Sequence, residues 1–173
     1  MTVVNDLDPD AGYYYCAATP SAVFHYGGDV YQSPLLPGGE INATAGYFLS
    51  SLKTYLKPYG GLRRLIFVGG VTPEAEEYFR SFLGMAVEDV WEVRGDAVAV
   101  SVELARGWTA SDYVVLTPYR SPPSSGDRLS AANGASIASR LNAPLLYVGA
   151  EGLSPATKDT LKALGVTKAV VLD

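Results

Sequence analysis

Three carboxylates stand at alternate positions, Asp6, Asp8 and Asp10, just ahead of Gly12. Oxygens spaced in this way on an extended loop can converge on Ca²⁺, a hard cation that favours carboxylate and carbonyl ligands. An EF-hand loop has its glycine one place earlier and a bidentate Glu at position 12, where this chain has Ala17. A solvated acidic terminus is the simpler account. Nucleophilic chemistry has few carriers: Cys16, Ser124 and Ser125, with His25 as the single imidazole. There is no G-x-S-x-G elbow. One cysteine and one histidine allow neither an internal disulfide nor a multi-histidine metal site. Mg²⁺-dependent phosphoryl chemistry needs carboxylates at strand ends, and Asp6 and Asp8 read as preceding the α/β body. The expectation is a protein without catalysis or a resident cofactor, calcium being the weak exception.

Binding chemistry has better candidates. Arg120, Arg128 and Arg140 surround a loop that contains Pro118, Pro122 and Pro123. Guanidinium forks at such a mouth suit phosphates and carboxylates. Lys53, Lys57, Arg63 and Arg64 form a second basic group. Glycines that follow strands, Gly69-Gly70 and Gly149 with Gly152, lie where α/β folds hold phosphates on helix N-termini. Neither copy has the G-x-G-x-x-G or P-loop spacing. Asn42-Ala43-Thr44 is an N-glycosylation acceptor that also reads as a helix cap. Arg94-Gly95-Asp96 reads as a turn whose aspartate caps the next helix. Tyr13-Tyr14-Tyr15 fits an edge strand, and twelve tyrosines in all offer rings that can stack on sugars.

From residue 20 the chain alternates β-rich runs with helical periodicity, the pattern of an α/β fold with a parallel-rich sheet between helices. Strands are expected at 22–26, 65–68, 90–93, 113–116, 145–148 and 169–172. Helices are expected at 43–56, from Thr72-Pro73 to Gly84, and at 97–108, 130–141 and 155–164. Thr72-Pro73 and Ser154-Pro155 each join a hydroxyl cap to a proline at the first helical position. Leu65 to Gly70 resembles Leu145 to Ala150, and Leu83-Gly84 resembles Leu164-Gly165, at offsets of about 80 residues. Gly46 and Gly134 lie in the helices before those strands. The pattern predicts two degenerate repeats, about 21–111 and 112–173, behind an acidic arm or edge strand at 1–20.

The net charge of −5 is concentrated at the N-terminal end, since residues 1–52 contain Asp6, Asp8, Asp10, Asp29 and Glu40 but no Lys or Arg. The rest of the chain is balanced. That distribution disfavours nucleic acid, whose partners present a basic face. No apolar run approaches the roughly 20 residues a membrane span needs, and no secretory leader is evident within this chain.

Residues 113–173 resemble the cell wall binding repeat type 2 family, found in tandem on bacterial and some archaeal surface proteins. The resemblance is carried by Val114-Val115-Leu116, Ser130-Ala131-Ala132, and the run Leu141-Asn142-Ala143-Pro144-Leu145-Leu146. It continues through Leu153-Ser154-Pro155-Ala156-Thr157 and Leu164-Gly165-Val166-Thr167-Lys168 to Ala169-Val170-Val171-Leu172. Residues 65–105 match more loosely. The family has Asp where this chain has Ser130, and Arg-Tyr where it has Ala97-Val98. The resemblance implies toprim-like layered units packed side by side, a cell-surface or extracellular setting, and an envelope polymer or other surface subunits as partners. It implies a polymer site at Pro144-Leu145-Leu146, beside Arg120, Arg128 and Arg140. It further implies that the chain stops short of the family's next Gly-Gly and helix. The alternative is a small-molecule site of phosphate or nucleotide type at Gly69, Gly70 and Gly149.

Overall fold

The computed structural model describes residues 1–39, 50–51, 54–55, 64–83 and 89–173. The expected helix at 43–56 lies outside these apart from Ser50, Ser51, Thr54 and Tyr55, which are helical. Also outside them fall Glu40, Asn42, Gly46, Lys53, Lys57, Arg63 and Gly84.

The fold is α/β, and its parallel strands are divided between two sheets. β1 (Thr2–Val4), β4 (Leu35–Pro37), β5 (Arg64–Val68) and β6 (Asp89–Val93) form the first, in the order β4-β1-β5-β6. β7 (Tyr113–Pro118), β8 (Leu145–Val148) and β9 (Lys168–Val171) form the second, in the order β8-β7-β9. Every pairing within both sheets is parallel. A small antiparallel hairpin, β2 (Val23–Tyr26) and β3 (Asp29–Gln32), projects from the body. The described helices are α1 (Ala11–Ala22), α2 (Pro73–Leu83), α3 (Ala97–Ala105), α4 (Ser125–Leu141) and α5 (Pro155–Ala163).

Residues 1–20 are therefore neither an arm nor an edge strand. β1 is hydrogen-bonded on both sides, to β4 and to β5, and its three residues are buried. Tyr13-Tyr14-Tyr15 belongs to the first turns of α1, where Tyr13 and Tyr14 are buried. Helix α1 is covered along most of its length, so its sequence lacks the one-sided apolar stripe that marks a surface helix.

A twofold recurrence is present in the topology, in a different phase from the sequence matches. In the first unit β1 leads through α1 to β4 on one side, and β5 then joins on the other. In the second, β7 leads through α4 to β8 on one side, and β9 joins on the other. β1 thus corresponds to β7 and β5 to β9, with β6 added at the edge. β5 and β8, matched by sequence, occupy unlike places, because strand–turn–Ser/Thr-Pro–helix is a solution common to any α/β connection. Both caps form as their residue types predict: Thr72 Oγ1 accepts from Ala75 N–H at 3.3 Å and Ser154 Oγ from Thr157 N–H at 3.0 Å.

Helix α2, through Ala75 and Phe79, and Val71 just ahead of it cover one face of the first sheet against Val3, Leu65 and Phe67. The opposite face, with Val4, Val68 and Val93, shares a core with α1, α3 and α4 and with Val115, Leu145 and Tyr147 of the second sheet. The far face of that sheet packs Val114, Leu116 and Leu146 against α3 and Leu161 and Leu164. α3 also closes the open edge of β8, since Ser101 Oγ accepts the Tyr147 N–H at 3.2 Å.

Candidate functional site

The three arginines do not meet in one crevice. Arg120 follows β7 at its carboxyl end, and its guanidinium is held by Asp127 Oδ1 at 2.6 Å and by Asp173 Oδ1 at 3.7 Å. Asp127 is 1% exposed. Its other oxygen accepts the Ser124 N–H at 2.9 Å while Ser124 Oγ accepts the Asp127 N–H at 3.1 Å. This reciprocal capping box starts α4 at Ser125, five residues ahead of the expected Ser130. The Ser124 bonds, then the Arg120 charge, hold the Asp127 carboxyl below its ordinary value against the opposing effect of burial. Arg128 stands one turn into α4 and Arg140 in its last turn. Twelve residues of helix put about 18 Å between those two positions.

Pro144, Leu145 and Leu146 are core. Leu145 and Leu146 are 1% and 0% exposed, and the Pro144 carbonyl accepts the Val115 N–H at 3.0 Å. They begin β8 at the end of the sheet away from Arg120, so no side chain of this run forms a contact surface for a polymer.

The two glycine turns differ. Gly69 (φ +82°) accommodates the Tyr14 ring, which a Cβ would meet at 2.6 Å. Its N–H donates to Val93 O, and the Gly69 and Gly70 carbonyls accept from Asn5 Nδ2 at 3.0 and 3.3 Å. Tyr14 Oη in turn donates to Gly95 O at 2.9 Å. This turn is a packing joint with no free phosphate cradle at Gly69. Gly149, by contrast, lines a crevice of about 290 Å³ with Arg120, Thr117, Pro118 and Asp173, at the carboxyl ends of the second sheet. Asp96 Oδ1 accepts the Ala99 N–H at 2.8 Å, so Arg94-Gly95-Asp96 is the helix-capping turn its position implied.

Asp6 and Asp8 do not precede the α/β body; they follow the carboxyl end of β1. Their oxygens diverge. Asp6 Oδ1 accepts the Gly39 N–H at 2.7 Å, Asp8 Oδ1 the Asp10 N–H at 2.8 Å, and Asp10 Oδ2 the Tyr119 hydroxyl at 2.6 Å. Among the described residues no group of His, Cys, Asp and Glu is arranged to hold a metal ion. His25 is exposed on β2, opposite Val30.

Two further spaces escape sequence reasoning. A cleft of about 460 Å³ at the amino ends of the first sheet is lined by both tryptophans of the chain, Trp91 and Trp108, with Phe24, Ile66 and Arg64. A groove of about 350 Å³ between α1 and α4 is lined by Pro9, Gly12, Tyr13, Cys16, Arg128 and Ala131. Tyr13 is the centre of an aromatic cluster, edge-on to Tyr119 at 5.1 Å and to Tyr147 at 5.2 Å. Its backbone carbonyl accepts the Tyr147 hydroxyl at 2.7 Å, yet its own buried hydroxyl has no hydrogen-bond partner among the described residues. Burial pushes the Cys16 thiol up, and burial with the Asp10 hydrogen bond pushes the Tyr119 phenol up. Both are protonated at neutral pH. Only the placing of α1 beside α4 makes this groove, and α1 has no periodic signature from which that placing follows.

No family model matches the chain, and no curated protein matches it in sequence. Among solved structures it is similar to Cwp8 from Clostridium difficile, at 18% sequence identity and a TM-score of 0.69. The likeness covers 96% of this chain and 25% of that one, so the chain spans about a quarter of Cwp8. At that identity the likeness establishes a shared α/β fold.

Proposed function

We propose that this chain is a non-catalytic surface module that attaches its parent protein to an envelope polymer or to neighbouring surface subunits. The observation that carries the reading is the likeness to Cwp8, a cell wall protein, along nearly the whole chain. The resemblance of residues 113–173 to a wall-binding repeat points the same way. Three of the polar side chains near the strand ends are taken up by the fold, Ser124 and Asp127 by a helix cap and Asp10 by Tyr119. The test is capture of the purified chain on isolated envelope of its source organism across a salt series. Saturable capture that weakens with salt is the expected result, since an anionic polymer held by exposed guanidinium groups is screened by added ions. Folded protein that stays in the supernatant at low salt would sink the reading for this chain.

A second reading has its own observation. Arg120 and Gly149 meet at the carboxyl ends of β7 and β8, beside the central strand from which the chain crosses first to one side and then to the other. Open α/β sheets hold small ligands at such a switch point. Stabilisation by inorganic phosphate or a nucleotide, lost in Arg120→Gln, would favour it.

A further inference from the structure

We propose that the groove between α1 and α4 binds a sugar ring bearing one anionic group, held by the Tyr13 hydroxyl and the Arg128 guanidinium. Tyr13 is 3% exposed and lines the groove, and its hydroxyl finds no partner among the described residues. A buried hydroxyl in that position costs stability unless something outside the fold completes it. A phenol both donates and accepts, as a sugar hydroxyl does. The ionisable groups around it are Asp127, Arg128, Asp10 and Cys16. Asp127 is committed to Arg120 and to the cap, and Asp10 to the Tyr119 hydroxyl. Cys16 is kept as the neutral thiol by burial. Arg128 is exposed and has no ion-pair partner among the described residues. It is the charge left over, and its planar fork suits a phosphate or carboxylate. Between these two polar points the walls are Pro9, Gly12, Cys16 and Ala131, small groups that let the less polar face of a ring approach closely. A volume of about 350 Å³ falls at the small end of ligand-sized sites.

The attachment reading supplies only the source of such a unit, a residue of an anionic envelope glycan, so the two ideas are tested apart. Glucose 6-phosphate, glucuronate, glucose and inorganic phosphate are titrated into the intact chain by calorimetry. Cys16, the chain's single cysteine, serves as a second reporter through its labelling by a thiol reagent. Glucose 6-phosphate or glucuronate is expected to bind saturably and to slow the labelling, and the preference between them identifies phosphate or carboxylate as the anion. Arg128→Met is expected to weaken binding about tenfold or more. Tyr13→Phe should weaken it while leaving the melting temperature unchanged or raised. Lys158→Met removes an exposed charge of the same sign on α5, away from the groove, and should bind as wild type does. The proposal is overturned if neither anionic sugar binds or protects Cys16, or if folded Tyr13→Phe binds like wild type. Envelope capture that survives in a Tyr13→Phe/Arg128→Met chain would reject the groove and spare the attachment reading. Sugar binding without envelope capture would do the reverse.

Discussion

Asp127, between Arg120 and Arg128 in the chain, serves the fold by holding one of these arginines and a helix cap. Its carboxylate accepts from Ser124 and Arg120, so its charged form is favoured in the folded state and its carboxyl is held low. A group depressed in this way stabilises the protein fully above its unfolded value, about 3.9. That contribution is lost as the pH falls through the lower folded value. Asp127→Asn should therefore flatten the loss of stability below about pH 4, and urea midpoints measured across pH 2–6 would show it. Parallel wild-type and variant curves would mean that the carboxylate is unshifted. Leu146 makes a complementary case. The sequence marks Pro144-Leu145-Leu146 as apolar and extended, which suits a buried strand and a contact surface equally well. Its complete burial decides between them, and Leu146→Ala is expected to cost about 2–5 kcal/mol in chemical denaturation. A cost below about 1 kcal/mol would return this residue to the surface.

At the scale of elements, legibility followed the kind of burial. Helices α2 and α5 announce themselves through a Ser/Thr-Pro start, and β7 and β8 through continuous apolar runs, because these features are local. Helix α1 does not, since burial on several sides replaces amphipathic periodicity with tyrosines, alanines and a proline in its last turn, Pro20. The five-residue error at the start of α4 has a related cause: Ser124 and Asp127 lie directly after Pro122-Pro123, where a loop is the natural reading. α4 also carries a glycine that helix propensity alone disfavours. At Gly134 a Cβ would lie 2.6 Å from Thr117 Cγ2 and 3.0 Å from Leu145 Cδ1, so the helix rests directly on the second sheet there. Alanine would gain about 1 kcal/mol of propensity, but overpacking a fitted core costs about 1–3 kcal/mol. The contacts come from a β-branched side chain and a leucine beneath the helix, both confined by the sheet. Gly134→Ala is accordingly expected to lower stability, and a stabilised variant would show that the helix can lift from the sheet at little cost.

The two sheets are one molecule because their apolar faces converge on α1. Val4 and Val68 from the first sheet and Val115, Leu145 and Tyr147 from the second share a core with Tyr13, Tyr14, Ala17 and Ala18 of that helix. The Tyr147 hydroxyl reaches from β8 to the Tyr13 carbonyl, and the Tyr119 hydroxyl from the end of β7 to Asp10, so polar bonds cross the same joint. A repeat boundary near residue 111 could be drawn from sequence because short motifs recur. The sharing of this core depends on contacts between residues more than 100 positions apart, which no local pattern reports. The acidic N-terminal residues thus have structural work, Asp6 and Asp10 fastening β1 and α1 to Gly39 and Tyr119. A chain beginning at Val23 would lose the central strand of the first sheet and the helix that both sheets pack against. It should show no cooperative thermal transition in either half, whereas the full chain melts in a single step. Two separate transitions in the full chain, or a folded second unit after the deletion, would mean that the units are independent neighbours. In that event the groove between α1 and α4 would be an interface free to open, and its fixed pairing of Tyr13 with Arg128 would be lost with it.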